Sequence, residues 1–134
     1  MRKPLVAGNW KMNGRLDSAI ALSHAVVAGR AAFAGVECAV CPPFVHLRDV
    51  AVALHGSGIA LGAQDVCEHE SGAYTGEISA GMLLDIGAHY VLVGHSERRA
   101  LFGDTDGRVL AKLRRAKAAG LQPILCVGET LEER

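Results

Sequence analysis

The chain has 134 residues, with 14 Lys and Arg against 14 Asp and Glu and half of its residues hydrophobic, which excludes a disordered chain. A formal net charge of zero supplies no overall counterion-release contribution on a phosphate backbone, so no nucleic-acid partner is expected. The apolar runs are too short to cross a bilayer, and Met1-Arg2-Lys3-Pro4 leads into a strand-like segment rather than a signal-peptide core, so no membrane partner is expected and the chain reads as cytoplasmic.

The first strand is expected over residues 5–9 and runs into Asn9-Trp10-Lys11-Met12-Asn13-Gly14. Strand alternation puts Asn9 and Lys11 on one face and Trp10 on the other, so an amide and an ammonium can together hold an anionic or carbonyl oxygen. The plainer reading of Lys11 is a solvated loop lysine. A helix follows, with Leu16, Ile20 and Val27 in phase.

The second strand, 37–41, contains Cys38-Ala39-Val40-Cys41. A redox Cys-x-x-Cys should open a helix, whereas this one lies in an apolar run before Pro42-Pro43, and positions three apart on a strand face opposite ways. Cys38, Cys41, Cys67 and Cys126 therefore read as structural thiols, and no Cys or His pairing at finger spacing calls for a metal. Leu47, Val50, Ala51 and Leu54 then form a full i, i+3, i+4, i+7 helical set.

A third strand over 59–63 leads into residues 64–77, a long connection of the kind that is usually functional or interface-forming. Its glycines match neither a P-loop nor a dinucleotide fingerprint. A short apolar helix is expected at 78–86 and a fourth strand at 89–94, ending in Gly94-His95-Ser96-Glu97-Arg98-Arg99. There His95 stands between an apolar strand and a short helix. Unpaired N–H groups at the helix start favour a neutral imidazole that donates a hydrogen bond to a substrate oxygen, although a capping histidine fits equally well. Glu97 and Arg98 read either as a catalytic pair or as a structural ion pair. His24, His46, His55 and His89 read as solvated or packing residues.

The last complete helix is expected over 106–119, with Val109, Leu110, Leu113 and Ala116 inward, Lys and Arg outward, and Gly120 as its C′ residue. A fifth strand over 123–128 precedes Thr130-Leu131-Glu132-Glu133, which has capping-box form and announces a further helix just before Arg134. Strands separated by helices must run parallel, and their near-continuous apolarity implies cover on both faces. The expectation is an α/β fold in a single domain, 1–134, that forms an incomplete unit. In such sheets ligands bind where strands feed helices, which is where Asn9, Lys11 and His95 fall.

Taken together, Ala7-Gly8-Asn9-Trp10-Lys11-Met12-Asn13, Gly62-Ala63-Gln64-Asp65-Val66, Gly72-Ala73-Tyr74-Thr75-Gly76-Glu77, Val93-Gly94-His95-Ser96-Glu97-Arg98-Arg99 and Cys126-Val127-Gly128-Glu129 resemble the triosephosphate isomerase family along the whole chain. The resemblance implies a parallel-stranded partial TIM (β/α)8 barrel with about five strands and four complete helices. It implies interconversion of dihydroxyacetone phosphate and glyceraldehyde 3-phosphate through an enediolate, without a cofactor or metal. By the same resemblance His95 polarises the carbonyl, Lys11 supplies positive charge beside the substrate oxygens, Asn9 is a neighbouring anchor, and Glu97 orients Lys11 or relays protons. Gln64, Tyr74, Thr75 and Gly76 fall in the family's dimer-forming loop, which implies a homodimer through 64–77. The family's general base, lid and late phosphate-binding loops match nothing in this sequence, so the chain alone is expected to be a poor catalyst. The alternative is a non-catalytic half-barrel that binds or assembles with another chain.

Overall fold

Five parallel strands, each hydrogen-bonded to the one before it, form the sheet in a computed structural model that describes residues 2–134. They are β1 (Leu5–Asn9), β2 (Glu37–Cys41), β3 (Ile59–Ala63), β4 (Ala88–Val93) and β5 (Gln122–Leu125), in spatial order β1-β2-β3-β4-β5. Register runs Leu5 to Glu37, Cys38 to Ile59 and Tyr90 to Gln122, with one shift between Leu61 and Gly62. The crossovers are α1 (Leu16–Gly29), α2 (Leu47–Leu54), α3 (Ala80–Asp85), α4 (Ser96–Leu101) and α5 (Asp106–Ala119). The result is a half-barrel of α/β type. The short helix behind His95 is α4, so the described residues hold one α-helix more than the four complete crossovers expected.

One face of the sheet packs on the helices. Val40, Ile59, Leu61, Val91 and Val93 meet Leu47, Val50, Leu54, Leu83, Val109 and Ala116 in one buried cluster. Fully burying an aliphatic side chain of this kind contributes about 1.5–3 kcal/mol, so this layer is the main source of cohesion. The opposite face carries Cys41, Gly62 and Tyr90 side by side. A Cβ on Gly62 would lie 2.6 Å from Cys41 Sγ and 3.4 Å from Tyr90 Cβ, so only glycine fits between those two strands.

The structure differs from the sequence expectation in several places, each with a physical reason. Both faces are covered on β3 and β4 but not on β1 and β5, the outer strands among the described residues: Val6 is 63% exposed and Leu125 45%, whereas Val91 and Val93 are fully buried. In α1, Leu16 is exposed and the buried positions are the small Ala19 and Ser23, the latter returning its hydroxyl proton to Ala19 O at 2.8 Å. In α5, Leu110 faces solvent and Lys112 is buried. The capping box at the end forms, with Thr130 N donating to Glu133 Oε2 at 2.7 Å, but residues 131–133 make a turn and no helix. No helix among the described residues is long and apolar enough to cross a membrane.

Candidate functional site

At the carboxyl ends of the strands a cleft of about 360 Å³ is lined by Asn9, Lys11, Gln64, His95 and Glu97 among others. The segment after β1 is pinned on several sides. Lys11 has φ 54, the one positive value on a non-glycine among the described residues, a conformation that costs about 1–2 kcal/mol. Hydrogen bonds hold it there: Lys11 N donates to Asn9 Oδ1 at 3.0 Å, and Gln64 Nε2 donates to Lys11 O at 2.8 Å and to Cys41 O at 2.9 Å. Asn13 Nδ2 reaches Trp10 O at 2.9 Å. The lysine side chain then crosses the cleft, and its Nζ donates to Glu97 Oε1 at 2.6 Å.

His95 leaves β4 with ψ 142 and caps α4, its Nδ1 accepting from Glu97 N at 3.1 Å. That bond occupies the Nδ1 lone pair. A neutral ring must then carry its proton on Nε2, where it can donate into the cleft. The preceding Gly94 has φ 73, and Arg99 fixes it by donating from Nε to Gly94 O at 2.7 Å while its other arm meets Asp106 at 2.6 Å. Glu97 stays ionised, its carboxyl held below the usual carboxylate range chiefly by the Lys11 hydrogen bond. Asn9 spends its carbonyl oxygen on Lys11 N, so its amide nitrogen is what it can offer a ligand. An ammonium and N–H donors around one cleft suit a carbonyl oxygen that gains negative charge during reaction.

Behind the cleft lies a feature that helical patterning missed. Lys112 is fully buried on α5 and donates to Asp65 Oδ1 at 2.9 Å and to Asp104 Oδ1 and Oδ2 at 3.1 and 3.2 Å. Arg98 closes the ring, 3.0 Å from Asp104 and 3.1 Å from Asp65. Burial opposes ionisation of Asp104, but Lys112 and then Arg98 outweigh it and hold the carboxyl below the usual range. In α5 the Lys and Arg residues were expected outward. The signal that could have found Lys112 is its helical phase, three residues from Val109 and four from Ala116.

The residues expected at an interface lie at different depths. Gln64 sits beneath the cleft, its amide committed to Lys11 and Cys41. Tyr74 is 43% exposed and stacks on His69 with ring centroids 4.0 Å apart. Thr75 and Gly76 are exposed, and Gly76 also borders the cleft. All four cysteines are free thiols, and among the described residues no group of three or more His, Cys, Asp or Glu is placed to hold a metal ion.

A family model described as triosephosphate isomerase matches residues 4–134. The triosephosphate isomerases of Thiobacillus denitrificans and Dechloromonas aromatica are 59% and 58% identical to this chain, over all of it and 53% of each relative. The crystal structure of triosephosphate isomerase from Bartonella henselae superposes with a TM-score of 0.87 at 42% identity, over 98% of this chain and 54% of that one. The chain thus spans about half the length of the curated relatives it matches.

Proposed function

Since the chain belongs to the triosephosphate isomerase family, we propose that it supplies the charge-stabilising part of an isomerase that interconverts dihydroxyacetone phosphate and glyceraldehyde 3-phosphate, a step shared by glycolysis and gluconeogenesis. The observation that carries this reading is the placement of Lys11, Asn9 and His95 on one cleft, with His95 Nδ1 occupied by Glu97 N. The reaction moves a proton between adjacent carbons through an enediolate. Lys11 Nζ lowers the energy of the negative oxygen, Nε2–H of His95 polarises the carbonyl, Asn9 anchors the ligand, and Glu97 directs Lys11 and relays protons. Acid, base and charge stabilisation suffice for such a transfer, so no cofactor is called for.

Residues 1–134 act as one domain, an incomplete barrel, located in the cytoplasm. The family's general base, lid and late phosphate-binding loops lie beyond the matched half. General-base catalysis supplies about 10²- to 10⁴-fold, so the chain alone turns over poorly. The whole protein is a homodimer through the 64–77 loop, with Thr75 reaching the partner's site.

The test is a coupled isomerase assay on the 134-residue chain alone and after mixing with the complementary C-terminal half of the Thiobacillus denitrificans relative. Recovery of turnover on mixing supports the reading; a rate typical of the family from the chain alone refutes the missing base. Sedimentation reports the oligomer. The uncovered Val6 and Leu125 on the outer strands favour a second reading, a non-catalytic half-barrel that assembles with another chain. A folded oligomer that stays inactive after mixing would favour it.

A further inference from the structure

We propose that Lys112 is a positioning residue for Lys11 and His95, holding from outside the cleft both elements that grip them; the inference rests on the isomerase reading of those two residues. Arg108, Lys112 and Arg115 stand at i, i+4 and i+7 on α5 and face Asp65, Glu68 and Glu70 of the 64–77 loop. Only the central rung is buried. The three protons of Lys112 Nζ meet three carboxylate oxygens, one on Asp65 and two on Asp104. With Arg98 these groups form a closed ring of two cations and two carboxylates that joins α5, α4 and the start of the loop.

Each exit from the ring leads to the cleft within one residue. Asp65 adjoins Gln64, whose amide holds Lys11 O and Cys41 O. Arg98 adjoins Glu97, whose N–H fixes His95 Nδ1 and whose carboxylate receives Lys11 Nζ. Lys11 is thus held by its main chain from one side of the ring and by its side chain from the other, with Lys112 the cation buried between them. A stability role alone gives a different expectation: buried ion pairs are often replaceable by apolar groups of similar volume with little loss, provided no partner is stranded. When Lys112 goes, Asp65 and the buried Asp104 are left sharing the single cation of Arg98, so one buried charge is uncompensated and the consequence for the cleft is geometric.

The test uses the full chain with Lys112→Met and the milder Asp65→Asn, which removes one carboxylate but leaves Lys112 paired with Asp104. Proton–nitrogen correlation spectra of the His95 ring report which nitrogen carries the proton, and amide exchange at Lys11 and Gln64 reports their hold. Both variants are compared with wild type under conditions of equal folded fraction. The expected result is a single Nε2–H tautomer in wild type, a mixture of tautomers in the variants, and amide exchange about tenfold faster at Lys11 and Gln64. Arg115→Gln, which loosens an outer rung, leaves the His95 spectrum as in wild type. A folded Lys112→Met with unchanged ring and exchange overturns the proposal; if Lys112→Met does not fold, an unchanged Asp65→Asn does so by itself. These readouts need no turnover, so failure of the isomerase assay strikes the functional reading while the spectra still decide the positioning role.

Discussion

Lys11 Nζ and Glu97 Oε1 approach to 2.6 Å although 86 positions separate the two residues. Both side chains are about half exposed, at 51% and 46%, a setting in which an ion pair contributes little to folding. What the pair does contribute is direction, since an otherwise mobile lysine is drawn across the mouth of the cleft. Glu97→Gln should therefore leave the urea midpoint nearly unchanged. In the mixed-half isomerase assay it should lower kcat by about 10²-fold, the scale of a misplaced reacting group. A large loss of stability with kcat preserved would reverse these roles.

Asp104 gives a pH dependence of definite sign. Its folded carboxyl titrates below the ordinary value of 3.8, so as acid is added the unfolded chain takes up its proton first. The stability this group provides is complete above about pH 4 and disappears as pH falls through the lower folded value. Asp104→Asn should cost about 1.5–3 kcal/mol at neutral pH, because Lys112 and Arg98 lose the fully buried carboxylate they share and keep only Asp65. The gap between variant and wild type should narrow below pH 4, as read from urea unfolding at a series of pH values.

Gly94 tests the turn that delivers His95. At φ 73, an added Cβ would stand 2.8 Å from an Arg99 guanidinium nitrogen and 2.8 Å from Val109 Cγ1. Gly94→Ala should cost about 2–4 kcal/mol, from the positive φ together with overpacking. Thermal unfolding measures this, and a variant as stable as wild type would show that the turn can rearrange.

The Cys41 thiol is pushed up to about 11, first by burial and then by Cys126. Below the ordinary thiol value of 9.0 both folded and unfolded states keep the proton and the group is neutral to stability-versus-pH; above it the unfolded state loses the proton first, so stability falls as pH rises toward 11. At pH 8, an aromatic disulfide reagent should modify Cys41 only through opening of the fold, about 10²-fold or more slower than an unfolded thiol. Mass spectrometry of the labelled peptides distinguishes Cys41 from the partly exposed Cys38 and Cys126.

The first four strands, crossover order and the grouping of Asn9, Lys11 and His95 were legible because each follows from local periodicity plus the rule that parallel strands present one functional rim; β5 stops at Leu125, short of the expected 128. Hydrophobic pattern alone misjudged Leu16, Leu110 and Lys112. Leu16 and Leu110 have the right composition but the wrong phase, and the small Ala19 and Ser23 take the close positions on α1. Lys112 was missed for a different reason: its partner Asp65 lies 47 positions away, and no window of sequence contains both. Gln64 belongs to the same class. Its amide reaches back 53 residues to Lys11 O, a contact visible only after the sheet has formed.

The spatial sequence of the strands repeats their order along the chain, with each parallel partner supplied by the preceding βα unit. A polypeptide leaving the ribosome N-terminus first therefore finds the template for every new strand already outside the tunnel. Within these five strands the sheet can be laid down vectorially, one hairpin-free crossover at a time, each strand after β1 pairing with the one made just before it.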